Sequence, residues 1–419
     1  MKISDIRPEI FDLADAAEKK IRPVFDEIDL VARENTRKVM QAFQDNRVSD
    51  ACFAGTTGYG YDDLGRETLD KIYAQVFRTE AALVRTGFVN GTHALTAAMY
   101  AMVGPGDTIL AATGAPYDTL RCAIGINGDH HGSLKFYGVD FSQVELASDG
   151  GPDLSAIERA AADPKVRAVM IQRSRGYEDR RALSVREIEL ICAAVRKVNR
   201  TAYIMVDNCY GEFTETVEPT EVGADIIAGS LIKNPGGGIA PTGGYVAGKK
   251  ELVDRAAMRL TTPGIGGECG STLGVSRLLF QGVFLAPHTV AQALKTAVFC
   301  AAMMEDAGFE TSPKPLEKRS DIIQMIKLGT PENMKRFCAG IQSGAPVDSY
   351  ITPEPWQMPG YDCPVIMAAG SFIQGSSIEL SADGPFQPPY TVYMQGGLSY
   401  ESGRLGVMMA LSAMTENKE

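Results

Sequence analysis

Four short segments carry residues whose types and order suit chemistry on a flat, charged ligand. Asn90-Gly-Thr-His-Ala94 opens an apolar stretch that reads as a helix. Gly91 and Thr92 at a helix N-terminus offer free N–H groups and the positive dipole end, a cradle for phosphate. Tyr117, in Gly114-Ala-Pro-Tyr-Asp-Thr119, is an aromatic plate that can stack on a ring. Asp207 closes the apolar run Ala202–Val206, and a buried carboxylate needs a partner. Ser230 and Lys233 lie in Gly229-Ser-Leu-Ile-Lys-Asn-Pro-Gly-Gly-Gly238. A lysine desolvated at such an apolar-to-glycine transition has a lowered pKa and can act as an amine nucleophile or base. The three glycines let backbone approach a ligand closely. Taken singly, each segment has a plainer reading: a helix cap, a surface tyrosine, a turn cap, a solvated loop lysine.

Taken together they run cradle, plate, acid, lysine, with the lysine 26 residues after the acid. That is the inventory for pyridoxal phosphate: a lysine for the Schiff base, an acid for the pyridine nitrogen, and a helix N-terminus for the phosphate. Other motifs fit less well. Gly243-Gly-Tyr-Val-Ala-Gly-Lys-Lys250 nearly matches a nucleotide P-loop, but its last position is lysine where serine or threonine is needed. No G-x-G-x-x-G follows a strand. His130-His131 are adjacent, which suits one metal ion poorly, and no carboxylate pattern supports them, so no metal site is expected.

The elements that must position these residues alternate. Helices are predicted over 67–78, 94–103, 117–125, 153–163 and 184–199. Strands are predicted over 82–89, 108–112, 133–137, 166–172, 202–206, 225–228 and 244–247. Apolar strands alternating with helices imply an α/β fold with a mostly parallel sheet of about seven strands and helices on both faces. In such sheets ligands bind beyond the carboxyl ends of the strands, where all four segments fall. Residues 8–47 read as one amphipathic helix, and 1–50 as a helical arm. A long helix over 272–306, broken or kinked near Pro287, leads out of a large domain at 51–290. Residues 291–419 form a smaller α+β domain, with a helix over 331–342 and strands at 372–380 and 391–394.

Composition narrows the partners. With 41 Lys+Arg against 52 Asp+Glu the net charge is −11, and no basic run reaches five residues, so neither nucleic acid nor an anionic membrane is expected. No run of 18 apolar residues appears, and the N-terminal segment is charged throughout. Eight scattered cysteines without C-x-x-C pairs fit a reducing cytoplasm. Glycine is in excess, 43 of 419 residues against a usual ~7%. Twelve of them lie in 229–274, around Lys233, and four more in the loop Gly55-Thr-Thr-Gly-Tyr-Gly-Tyr-Asp-Asp-Leu-Gly65.

The segments at 91–94, 116–119, 206–208 and 230–238 resemble fold-type I pyridoxal-phosphate enzymes. More narrowly, with Gly58-Tyr-Gly-Tyr-Asp-Asp-Leu-Gly-Arg66, Gln172-Arg-Ser-Arg-Gly-Tyr177 and Gly375-Ser-Ser-Ile-Glu-Leu-Ser-Ala-Asp-Gly-Pro385, the chain is similar to the methionine gamma-lyase or cystathionine beta-lyase-like family, also called the aluminium resistance protein family. The resemblance implies Lys233 as the Schiff-base lysine, Asp207 as the pyridinium partner and Tyr117 as the stacking ring. A tyrosine so placed can also protonate the leaving thiolate. It places Gly91, Thr92 and Ser230 on the phosphate. Tyr59 or Tyr61 would reach the phosphate of a neighbouring subunit, so a homodimer at least, and a tetramer by likeness, is implied. The family's Tyr-x-Arg at that loop is replaced by Tyr59-Gly60-Tyr61, which leaves Arg66 as the nearest arginine. Its Glu-Ser-Pro-x-x-Asn is replaced by Gln172-Arg-Ser-Arg-Gly176, so Arg173 or Arg175 either grips the substrate carboxylate or forms a surface ion pair. The implied activity is a carbon–sulfur lyase on a small sulfur-containing amino acid, by α-proton abstraction and β- or γ-elimination. An aminotransferase or aldolase on the same fold, and a non-catalytic metal-stress protein, are the alternatives.

Overall fold

The computed structural model describes residues 2–127, 131–358 and 363–415. Helix α1 (Pro8–Asp45) opens on a proline at its first turn, where the missing N–H costs nothing. Its buried stripe (Ile10, Ala14, Ala17, Ile21, Phe25, Ile28) lies along a later helix of the same chain. Helix α2 (Leu64–Val76) is capped by Asp63, whose carboxylate accepts from the Arg66 N–H.

The strand–helix alternation then runs β1 (Ala81–Arg85), α3 (Gly91–Met102), β2 (Thr108–Ala111), α4 (Asp118–Ile124), β3 (Asp140–Gln143), α5 (Leu154–Ala161) and β4 (Val166–Gln172). It continues as α6 (Val185–Val198), β5 (Tyr203–Asp207), β6 (Ile226–Ser230), β7 (Gly244–Gly248) and α7 (Lys250–Leu260). The seven strands lie in the order β1-β7-β6-β5-β4-β2-β3. The strand pairs from β6 through β5, β4 and β2 to β3 are parallel; β7 alone runs against its neighbours β1 and β6. Strands β4, β5 and β6 are almost wholly buried, which is why they read as continuous apolar runs.

Of the two expectations at Pro287, a break or a kink, the break does not occur: helix α8 (Ser276–Asp306) is continuous through it. The proline costs one rung of the helix and its ring is buried in the core. By length and composition α8 could cross a membrane, yet 72% of its most apolar window is inside the protein, packed on α1. It is a core helix. Beyond it come β8 (Glu310–Ser312), β9 (Ile323–Lys327), α9 (Pro331–Ser343), β10 (Val365–Ala369), β11 (Ser381–Pro385), β12 (Thr391–Gln395) and α10 (Tyr400–Thr415). Their five strands make a separate antiparallel sheet, β10-β11-β12-β9-β8.

Two predicted strands moved. Residues 133–137 are not a strand; Lys135–Tyr137 is a 3-10 turn, and the edge strand is β3, whose half-exposed polar residues gave no apolar pattern to read. Residues 372–380 form turns, and the strand begins only at Ser381. β11 contains Asp383-Gly-Pro, residues poor in strand propensity, and is held by neighbours on both sides.

Candidate active site

The carboxyl ends of the parallel strands converge as the α/β pattern requires. Across three strands the register sets Gln172, Asp207 and Ala228 in one row, with Ser230 just beyond. A cavity of about 200 Å³ opens over this row. Gly91, Thr92, Tyr117, Asp207, Ser230 and Lys233 all line it.

At one end lies the N-terminus of α3. The Asn90 side chain caps it by accepting from His93 N–H at 2.9 Å. The first N–H groups of a helix have no partner inside it, so those of Gly91 and Thr92 are available to an anion. A Cβ on Gly91 would stand 3.1 Å from the Ser230 Cβ and 3.7 Å from the Cys209 Sγ, so glycine keeps this cradle open. The Thr92 hydroxyl is set by the Thr119 hydroxyl at 2.8 Å. Tyr117 begins α4, and its N–H donates to Gln172 Oε1 at 2.9 Å. Gln172 therefore positions the aromatic plate. The Arg180 guanidinium fixes that strand end by donating to the Thr113, Gln172 and Ser174 carbonyls.

Asp207 is buried and Lys233 is half-buried. Desolvation pushes the Asp207 carboxyl up, against the pull of Lys233 and the Cys209 N–H. A cationic ring nitrogen beside it would reverse that shift by favouring the carboxylate. Lys233 departs from the low pKa expected of it. Burial works against its charge, but Cys209, Tyr210, Asp207 and Tyr117 outweigh burial and hold it well above the ordinary lysine range. Its Nζ sits 4.0 Å from the centre of the Tyr210 ring, a cation–π contact. Tyr210 holds a left-handed backbone (φ +70°), strain of the kind found at functional sites.

The arginines and the tyrosine loop lie elsewhere. Arg173 is fully buried, but it points away from the cavity into an ion-pair cluster with Glu215 (3.0 Å) and Glu218 (3.5 Å), and donates to Asn208. It is neither a carboxylate clamp nor a surface pair. The Arg175 guanidinium donates to the carbonyl and hydroxyl of Ser312, outside the Lys233 cavity. Tyr59 and Tyr61 stack on each other, 73% and 57% exposed, and do not reach their own chain's cavity. Arg66 does not face a phosphate either; it donates to the carbonyls of Gly60, Gly270 and Glu268 and pins the tyrosine loop. His130 lies outside the described residues.

Sequence reasoning missed Gln172 as a positioning group, Tyr177, Tyr210, and the small-sheet residues Ile323 and Gln395 that close the cavity. Tyr177 and Tyr210 carried a signal, since both follow strand ends. Ile323 and Gln395 carried none, because only docking of the second sheet brings them in.

The residues fit pyridoxal phosphate: an open N-terminal cradle, a buried acid and a half-buried lysine around one cavity. Fold and site together define the class, a fold-type I pyridoxal-phosphate enzyme. The chain belongs to the methionine gamma-lyase family, whose model matches residues 10–415, and pyridoxal phosphate is the cofactor of that family. An uncharacterized protein, YnbB of Bacillus subtilis (strain 168), is 46% identical over 402 residues, 96% of this chain and 95% of its own. The solved structure of a carbon-sulfur lyase involved in aluminum resistance, from Clostridium novyi NT, is 51% identical with a TM-score of 0.94, covering 97% of this chain and 96% of that one. The L-methionine gamma-lyase of Pseudomonas putida is 29% identical over 212 residues, 50% of this chain and 48% of that protein.

Proposed function

We propose that this protein is a pyridoxal-phosphate carbon–sulfur lyase that eliminates a thiol from Cβ or Cγ of a sulfur-containing amino acid of the cystathionine or methionine type, leaving a 2-oxo acid and ammonia. The observation that carries it is the pairing of half-buried Lys233 and buried Asp207 in one cavity with the open cradle of α3. The cofactor supplies an electron sink for the α-carbon when bound. The Gly91 and Thr92 N–H groups and the Ser230 hydroxyl would hold its phosphate, and Asp207 would hold a proton on its ring nitrogen. Tyr117 would cover its face. The Lys233 amine would bind it covalently and, once free, would take the α-proton. A proton given to the departing sulfur by a tyrosine at the cavity wall is worth about 10²–10⁴ in rate.

The exposed Tyr59–Tyr61 stack, pinned by Arg66 outside its own cavity, supports a homodimer in which these rings complete the partner's phosphate site, and a tetramer of two such dimers by family likeness. No arginine lines the Lys233 cavity among the described residues, while Arg121 and Arg175 line the cavity that shares its wall at Tyr117, Gln172 and Tyr177.

The test is a panel of cystathionine, methionine, cysteine and homocysteine, assayed for 2-oxo acid, ammonia and thiol, after borohydride fixation and peptide mapping of the cofactor. The expected result is label on Lys233 and thiol release from at least one substrate. A transfer of the amino group with no thiol released would make it an aminotransferase. Protein that takes up no label at all would sink the enzyme reading.

A further inference from the structure

The small sheet turns one face to the active site. Its register aligns Ser381 with Gln395 and Ile323, and Asp383 with Tyr393 and Met325, across β11, β12 and β9. Because side chains alternate along a strand, these six residues share that face. The opposite face packs on α9: the Ala382 carbonyl accepts from Cys338, and Gly384 lies against Met334. Ile323 and Gln395 line the Lys233 cavity, so the row holding Asp383 is the next one along the same wall.

Asp383 is buried at 6% exposure, and its Oδ1 has no hydrogen-bond partner among the described residues. Its carboxyl group is hydrogen-bonded to Tyr177 and lies in the field of Lys233. Tyr177 packs on Tyr393 with ring centres 5.4 Å apart. It also stands, with Tyr117, Gln172 and Gly176, in the wall shared by the Lys233 cavity and a second cavity of about 190 Å³. Tyr117 and Tyr177 are the two tyrosines of that shared wall, and it is Tyr177 that is hydrogen-bonded to Asp383. A buried carboxyl group with one oxygen unsatisfied costs free energy that packing alone does not repay.

We propose that Tyr177 donates the proton to the departing sulfur, and that Asp383 reloads Tyr177. This rests on the lyase reading above. The carbon–sulfur bond breaks with its electron pair going to sulfur. The Tyr177 hydroxyl proton passes to that sulfur and makes the thiol. The Asp383 carboxyl proton passes to the Tyr177 oxygen and leaves Asp383 as a carboxylate, which water reprotonates. Tyr177 touches the reacting atoms; Asp383 acts through it.

Burial pushes the Asp383 carboxyl up to about 7, with the Tyr177 hydrogen bond and Lys233 pulling the other way. Tyr210 and Tyr393 also face it, and Cys338 lies behind it from α9. All three are neutral near pH 7, so Lys233 is the one charge among these neighbours. Since the acid form is the working one, thiol elimination should fall as pH rises through about 7.

The experiment uses the holoenzyme with two substrates. An S-alkylcysteine needs a proton on its leaving group; β-chloroalanine, which loses chloride, does not. Tyr177→Phe and Asp383→Asn should each lower kcat/KM for the S-alkylcysteine about 100-fold, and change that for β-chloroalanine less than about threefold. Asp383→Asn should also remove the falling limb near pH 7. Infrared difference titration of the protein should show a carboxylic-acid band that titrates near that pH and is missing in Asp383→Asn. Equal losses on both substrates, or the selective loss appearing in Tyr117→Phe instead, would overturn the proposal while leaving the lyase reading intact. A wild-type holoenzyme that eliminates neither substrate would bring both down. Should Asp383→Asn not fold, Tyr177→Phe and the wild-type titration still decide.

Discussion

Two of the cavities near the open edge of the large sheet invite comparison, and the smaller of the pair holds the candidate chemistry. The larger, about 590 Å³, lies under the tyrosine loop and is lined by Tyr59, Arg66, Arg85, Cys269, Thr272 and Phe280, among others. Both of its arginines are already committed. Arg66 serves three backbone carbonyls, and Arg85 grips Asp70 at 2.7 and 2.8 Å. The smaller, about 200 Å³, holds Lys233 and Asp207 in each other's field, with the N-terminus of α3 open beside them. Volume measures room for a ligand. Reactivity follows from buried charge that the fold leaves incompletely paired. The two regions therefore differ in kind: one gathers the candidate cofactor-binding groups, the other holds a loop in shape and presents it outward.

Substitutions should keep that division visible. The largest effect is expected from Lys233→Ala, which should abolish both turnover and the yellow absorbance of lysine-bound cofactor. A coloured, active variant would end the assignment. Asp207→Asn should retain cofactor but cost about 10²–10³ in kcat, as loss of other preorganised charges does; steady-state rates at saturating cofactor measure it. Tyr59→Ala crosses between the regions. If the loop completes a partner's site, cofactor Kd should rise about tenfold, or about 1.4 kcal/mol, and sedimentation should show a weaker dimer. An unchanged Kd and an unchanged oligomer would confine the loop to its own chain.

Arg66→Ala should act in the opposite sense. It leaves three carbonyls unserved, so stability should drop by about 1–3 kcal/mol while the cofactor spectrum of the folded fraction stays the same. Denaturant unfolding followed by absorbance separates the two. A last effect, on pH dependence, concerns Glu212, behind the lysine segment, which accepts from Tyr245 at 2.8 Å. Burial pushes its carboxyl up to about 8 from an ordinary value of 4.5. The folded chain then binds more protons than the unfolded chain between those values. Stability of the cofactor-free protein should accordingly decline as pH rises from about 4.5 to 8 and level off above it. Glu212→Gln should flatten that slope, and chemical unfolding at several pH values reads it directly.

Much of the large domain was legible in the chain. Strand β4 falls on the predicted residues, and β5, β6 and β7 fall within two residues of them, because strands buried on both faces leave unbroken apolar runs. Polar or irregular elements were not legible. Strand β3 sits at an edge, and β11 spells Asp383-Gly-Pro, so neither carries the usual pattern. Site residues followed the same division. Gly91, Thr92, Tyr117, Asp207, Ser230 and Lys233 could be named because each follows a strand that announces itself. Gln395 follows one too, but on another sheet, whose docking no local pattern encodes.

The excess of glycine now has a physical meaning. Gly91 keeps the cradle open, and a Cβ on Gly236 would meet the Leu231 carbonyl oxygen at 1.7 Å, so the turn after Lys233 can only be drawn in glycine. The order of cradle, plate, acid and lysine, and the parallel sheet beneath them, were determined by the sequence itself. They rest on local patterning and on chain direction, which a sequence states outright. The tertiary structure alone decided that Arg173 and Arg66 are spent on internal partners, that Lys233 keeps its charge despite burial, and that Tyr177 meets Asp383 from 206 residues away. Those outcomes depend on which groups share one desolvated space, a property of packing between distant segments.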